Sequence, residues 1–198
     1  MPAVTGYQQG IIYLSGSRPE PGRIVVRNID RHYVDALASL STRTRPYYQQ
    51  RDRDERPGYW VLKLRGELPT LSDVADWSGF CRAFVELQGR LDTQRIRKPS
   101  GAVSERLRLR IWGDPASLTA IMAVLPARQK TIQSCHTNTG CTSALYYQSK
   151  VEIADILNYI NGYPRNEDIW VHWSATCTVV GSEICRASVT IPNAGPTA

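Results

Sequence analysis

Hydrophobic and polar residues alternate in two widely separated stretches of the chain. In "SERLRLRIWG" (104–113), Arg106, Arg108 and Arg110 alternate with Leu107, Leu109 and Ile111, the period of a strand that buries one face and wets the other. The period then changes. In "DPASLTAIMAVL", Asp114 is placed to cap a helix, Pro115 to open its first turn, and Leu118, Ile121, Met122 and Leu125 to form its apolar stripe. Upstream, Arg43, Arg45, Tyr47, Gln49, Arg51 and Arg53 all occupy odd positions, which predicts a strand with a polar face that turns at "DERPG" into "YWVLKLRG". There Trp60, Leu62 and Leu64 point one way, while Val61, Lys63 and Arg65 point the other.

The two stretches belong to a longer pattern. Laid on itself with an ungapped shift of 85 residues, "RIVVRNIDRHYVDALASLSTR" (23–43) falls on "RLRIWGDPASLTAIMAVLPAR" (108–128), and Arg23, Leu40 and Arg43 meet Arg108, Leu125 and Arg128. Identities are few, but each copy reads strand, strand, helix, strand, strand, helix. Between the copies, Leu71, Val74, Trp77, Phe80, Cys81, Phe84, Val85 and Leu87 predict a helix that is apolar almost all round. Its small residues Ser78, Gly79 and Ala83 suit close approach by another helix, so the element belongs at an interface between halves or between subunits. The expected organisation is 1–76 for the first unit, 77–163 for the second and 164–198 for an added hairpin and tail, with the two units forming one domain. In that last stretch Ile169, Val171 and Trp173 alternate before a turn at "GSE".

Composition narrows the partners. The 198 residues are 42% hydrophobic and 21% charged, a globular balance, and no apolar run is long enough to span a bilayer. The start, "MPAVTGYQQG", has neither the basic region nor the apolar core of a secretory signal, so the expected location is cytoplasmic and the cysteines are expected as thiols. Net charge is +6, and 20 of the 24 basic residues are Arg. The planar guanidinium fork suits phosphate and the guanine edge, so Arg mixed with Tyr and Gln on strand faces points to nucleic acid. The candidate contact set is Arg43, Arg45, Tyr47, Gln49, Arg51, Arg53, Lys63, Arg65, Arg95, Arg97, Arg106, Arg108 and Arg110. An ordinary solvated sheet face is the competing reading.

Other chemistry is sparse. Cys135, His136 and Cys141 in "CHTNTGC" lack a nearby fourth ligand for zinc and are expected in a plain turn. Cys177 and Cys185 flank Gly181 and could face each other across a hairpin. His32 and His172 stand alone, and no glycine-rich phosphate loop is present.

The nine residues "CRAFVELQG" (81–89), followed by "GRLDTQ" (89–94), resemble the motif helix and first strand of LAGLIDADG homing endonucleases. Ala83 stands at the small position, Phe84 and Val85 at the apolar pair, Glu86 at the first acidic position and Gly89 at the end. "ERLRLRIWGDPASLTAIMAVL" resembles the family's second strand and following helix, and "YYQSKVEIADILNYINGYP" its last strand and closing helix. The resemblance covers about 77–163 directly and 6–76 more weakly, through the repeat. It implies an α+β fold of two αββαββ-type units arranged as a saddle. Two motif helices would pack at its centre, with sheets that lie in a DNA major groove. It also implies that the residue before the terminal glycine is a carboxylate holding a catalytic divalent cation, because phosphodiester cleavage with Mg²⁺ needs hard oxygen ligands.

Two departures follow. The residue before Gly89 is Gln88, a neutral amide. Glu86, two positions earlier, is expected to pair with Arg82 or Arg90, and Asp92 is the remaining acid that could be recruited. The 85-residue shift also places Met1 on Glu86, so the first unit is expected to lack its motif helix, and 77–89 to pair across a homodimer or with the first half in another way. The resulting expectation is a duplex DNA-binding protein that needs no cofactor and has lost catalysis. The alternatives are a metal-dependent endonuclease using Mg²⁺ at Glu86 or Asp92, and a non-catalytic module that binds RNA or protein.

Overall fold

The computed structural model describes residues 4–51, 57–97, 99–137, 140–164 and 169, and for 135–137, 140 and 141 the backbone. The C-terminal hairpin and tail expected after 164, with His172, Cys177 and Cys185, lie outside the described residues, as does Arg53, except that Ile169, expected in a strand, is helical and packs on the second core. The chain runs α1 (Gly6–Ser15), β1 (Gly16–Glu20), β2 (Arg23–Asn28), α2 (Arg31–Asp35), β3 (Tyr47–Gln49) and β4 (Tyr59–Arg65), then α3 (Trp77–Gln88), β5 (Gly89–Arg97), β6 (Val103–Gly113), α4 (Pro115–Val124), β7 (Gln133–Thr137), β8 (Gly140–Tyr147) and α5 (Lys150–Ile160). Two antiparallel sheets form, ordered β1-β2-β4-β3 and β5-β6-β8-β7, so the same order of strands occurs twice. The fold is α+β, as expected.

The expectation that the first half lacks its central helix is corrected by α1. Thr5 and Gln8 start it with a reciprocal capping box, the Gln8 N–H donating to Thr5 Oγ1 at 3.3 Å and the Thr5 N–H to Gln8 Oε1 at 3.1 Å. Both central helices end on a glycine that begins the next strand, Gly16 and Gly89, which lie 73 residues apart rather than 85. The reason is the first hairpin. Gly16–Asn28 is twelve residues shorter than Gly89–Gly113, so one ungapped shift aligns β2 with β6 and pushes α1 off the start of the chain.

The two helices meet through small residues. A Cβ on Gly10 would lie 2.6 Å from the Ala83 Cβ and 2.9 Å from the Phe80 carbonyl oxygen, and one on Gly79 would lie 2.6 Å from the Tyr7 amide nitrogen. The face of α3 expected to meet either a second copy or the first half is therefore taken by α1, from the first half of the same chain. Each helix also feeds both cores. From α1, Ile11 and Ile12 enter the first core, with Ile24, Val26, Val34, Leu62 and Leu64, while Tyr13 and Leu14 pack on the second. From α3, Phe80, Phe84 and Val85 enter the second core, with Leu109, Ile111, Leu118, Leu145 and Ile156, while Ala83 is buried in the first. Because the helices fill the inner face of each sheet, the other face is left to solvent.

Asp114 and Pro115 start α4 as predicted, the Ser117 N–H donating to Asp114 Oδ1 at 3.0 Å. The strand expected over 43–53 is shorter. Only Tyr47–Gln49 pairs with β4, because Pro46 has no N–H to donate and Thr44 Oγ1 donates to the Lys63 carbonyl at 2.6 Å, occupying the acceptor there. Among the described residues, no helix is long and apolar enough to cross a membrane.

Candidate nucleic-acid interface

On the first sheet, register fixes which side chains share the outer face. Arg23 pairs with Arg65, Val25 with Lys63 and Arg27 with Val61, while Tyr47 sits opposite Val61 and Gln49 opposite Tyr59. Leu62 and Leu64 point into the core from the other side, so Lys63 and Arg65 face outward as the alternation predicted. The long side chains lie over aromatic rings. Arg27 is 6.0 Å from the Tyr59 centroid, Arg51 5.4 Å from the same ring, and Lys63 5.6 Å from Tyr47. Arg43 and Arg45 precede β3 in an exposed loop rather than standing on a strand.

On the second sheet, the outer face carries Arg90 opposite Arg110, Asp92 opposite Arg108, and Gln94 opposite Arg106. Asp92, with only 19% of its side chain exposed, accepts from Arg108 Nε at 2.9 Å and Nη2 at 3.2 Å, and also pairs with Arg110 Nη2. The two guanidiniums are flanked by rings: Arg108 lies 5.5 Å from the Tyr146 centroid and Arg110 4.9 Å from that of Trp112. Gln148 Nε2 donates to Gln94 Oε1 at 3.2 Å, extending the polar row. The hydrogen bond to Asp92 raises the Arg108 pKa further.

Arg95 and Arg97 do not join this surface. They share the parity of Leu91, which is buried under the sheet, and the hairpin carries them past the core, where Arg95 Nε donates to Glu105 at 2.9 Å. Side-chain period two settles the point, and the sequence alternation already contained it. Conversely, Arg23 and Arg27 stand on the outer face but were missed, because "RIVVRN" reads as an unbroken apolar run when Val25 is buried as well as Ile24 and Val26.

The acids near the motif have structural partners. Glu86 is only 7% exposed and lies between the central helices, accepting from Tyr7 Oη at 2.6 Å and from Arg82 Nε at 2.8 Å. Arg82 in turn lies 4.9 Å from the Tyr7 ring. Burial, then the hydrogen bond to Glu86, pushes the Tyr7 hydroxyl pKa upward, so Tyr7 stays a donor. Gln88 is the last residue of α3, and Ser15 holds the equivalent place in α1, where its Oγ accepts from Asn28 Nδ2 at 3.4 Å. The central helices therefore end in an amide and a hydroxyl, neither of which supplies the charge that a divalent cation takes from carboxylates. Among the described residues, no group of three or more His, Cys, Asp or Glu is arranged to hold a metal ion. His32 is exposed against the Tyr33 ring, and Cys81 is buried, with burial first and the Asp76 charge second pushing its thiol pKa up to about 12. The strands that carry Cys135, His136 and Cys141 pair as a hairpin through Thr137 and Gly140.

A helix–strand junction at each glycine cap, two four-stranded antiparallel sheets and two central helices in close contact define the fold class. The chain has a LAGLIDADG homing-endonuclease-like fold. Its backbone is similar over 90% of its length to 92% of I-SmaMI bound to uncleaved DNA target in the presence of calcium ions, at a TM-score of 0.58 and 7% identity. It is similar over 87% of its length to 88% of the I-LtrWI LAGLIDADG homing endonuclease bound to target DNA, at a TM-score of 0.56 and 9% identity. Full-length DUF199/WhiA from Thermatoga maritima gives a TM-score of 0.54 at 15% identity over 92% of this chain, which spans 65% of that protein. No family model and no curated protein sequence matches the chain.

Proposed function

We propose that the protein binds duplex DNA through the outer faces of its two sheets and has lost the capacity to cut it. The observation that carries this reading is the pairing of two outer faces bearing Arg, Lys, Tyr and Gln with central helices that end in Ser15 and Gln88. Arg and Lys on a strand face meet phosphates and base edges, and a β-ribbon fits the width of a B-form major groove. Support also comes from the DNA-bound state of I-SmaMI and I-LtrWI, whose backbones are similar.

The same helix ends argue against metal-assisted cleavage. The fold family implies a divalent cation held by an acid at each helix end, and the donor set here does not fit it. Glu86 is committed to Tyr7 and Arg82, and Asp92 to Arg108 and Arg110.

The test is a salt titration. The log of duplex affinity should fall linearly with log salt, with a slope that counts neutralised phosphates at about −0.9 each. Absence of duplex binding at low salt would remove the reading. A-form RNA, with its deep and narrow major groove, should compete poorly, and equal competition would favour an RNA partner instead. Incubation of a site library with Mg²⁺ or Mn²⁺ should give no cleavage, and defined cuts would restore the endonuclease reading.

A further inference from the structure

One concavity lies at the end of the first sheet, between the β1–β2 turn, the end of β4 and the loop that precedes β3. Its volume is about 620 Å³, in the range of small-molecule sites and far more than one phosphate fills. Its ionisable lining is Arg23, Arg43, Lys63 and Arg65 against a single carboxylate, Glu20. Glu20 is spent on Arg23 at 3.3 Å. Arg43 and Arg65 have no acidic partner among the described residues.

The walls are fastened rather than loose. Thr44 Oγ1 donates to the Lys63 carbonyl at 2.6 Å, the Thr44 N–H to Ser41 Oγ at 3.0 Å, and the Gly66 N–H to the Gly22 carbonyl at 3.1 Å. Gly22, at φ 71°, makes the turn that brings Arg23 to the rim. Four cations are thus held on backbone that binding need not order, which lowers the entropic cost of capture. Their mutual repulsion is relieved by a polyanion, and guanidinium forks prefer phosphate oxygens. Leu40 adds apolar lining against which a base or sugar can rest.

We propose that this pocket binds the phosphates of a nucleotide-sized ligand. The shared chemistry is a run of two or more phosphate groups, supplied either by a free nucleotide or by a nucleic-acid strand. Arg23, Lys63 and Arg65 belong to the outer face of the first sheet, so the pocket continues that face into the loop that carries Arg43, and its strand source rests on the DNA-binding reading proposed above.

Isothermal titration of the full chain tests it with inorganic pyrophosphate, with ADP, and with adenosine as the phosphate-free control. Pyrophosphate and ADP should bind saturably at one site per chain, and adenosine should not bind. The variant Arg43→Gln/Arg65→Gln should weaken both at least tenfold. Arg31→Gln/Arg128→Gln, which removes the same charge elsewhere, should leave them unchanged. If the first variant melts early, Arg43→Gln alone, in the loop, is read in its place. Unsaturable heats, or equal losses in both double variants, would mean diffuse attraction and overturn the proposal. Duplex binding measured on the same samples separates the two readings and the two sources. Displacement of pyrophosphate by duplex assigns the pocket to strand phosphates, a ternary complex assigns it to a free nucleotide, and loss of duplex binding alone leaves the pocket standing.

Discussion

The outer faces of the two sheets share a strand order and differ in how their cations are held. On β2, β3 and β4 no carboxylate occurs; Lys63 and Arg51, the latter just past β3, lie against tyrosine rings, and Arg27 lies against Tyr59 while donating to Ser17 Oγ at 3.1 Å. Such contacts are worth about 0.5–1 kcal/mol at exposed sites, so these side chains leave them readily for a phosphate. On β5 and β6, Asp92 draws Arg108 and Arg110 into one cluster and cancels one of their two charges. An arginine held at two points keeps its remaining donors aimed in a fixed direction, which suits a base edge better than a phosphate. The same scaffold thus presents a loose basic face and a stiff, partly neutralised one.

Both faces depend on the central helix pair, so the largest expected effect comes from breaking it. Gly10→Val places methyl groups where the Ala83 Cβ and the Phe80 backbone already stand. Overpacking against backbone costs about 1–3 kcal/mol and sometimes more, and here it acts on two cores at once. Urea unfolding should show a stability decrease of about 3 kcal/mol, with duplex binding reduced through both sheets together. A midpoint unchanged from the parent would mean that the helices are not the joint between the halves.

A smaller effect separates the faces. Arg27→Gln/Lys63→Gln should weaken all duplexes alike and flatten the log–log salt slope by about two, one for each phosphate left without its cation. Arg108→Gln/Arg110→Gln should flatten it by less, because Asp92 already offsets part of their charge. That variant should instead weaken binding to a preferred sequence by about 1–3 kcal/mol for each base edge it can no longer read. Binding curves on a selected site and on random duplex, across salt, read both quantities. Identical behaviour of the two variants would erase the distinction between the faces.

Much of this surface was legible in the sequence, because strand parity is fixed by the backbone. Lys63, Arg65, Arg106, Arg108 and Arg110 all face outward as the alternation required. Arg95 and Arg97 were misplaced although the same rule, counted from Leu91, puts them on the opposite side. The first central helix was hidden for two physical reasons. Gly6 and Gly10 are poor helix formers that serve close packing, and the longer β5–β6 hairpin defeats an ungapped comparison. Glu86 was half legible. Arg82 sits at i−4 on the same helix, but Tyr7, 79 residues away, is brought to it only by the helix pairing that the sequence did not reveal.

The finest test of the comparison is Asp92→Asn, which alters charge and leaves shape nearly unchanged. The amide keeps an acceptor for one guanidinium but no longer attracts the second, so the outer face of β5 and β6 gains a full positive charge and loses its fixed geometry. Stability should change little, by about 1 kcal/mol or less, since the cluster sits at the partly wet surface where ion pairs contribute modestly. Affinity for random duplex should rise about two- to fivefold at low salt, with a slope steeper by about one. Affinity for a preferred site should rise less, so the ratio between them shrinks. If random and preferred duplexes instead weaken together, Asp92 holds the arginines in the only arrangement in which either reaches DNA. The two faces would then differ in stiffness but not in what they read.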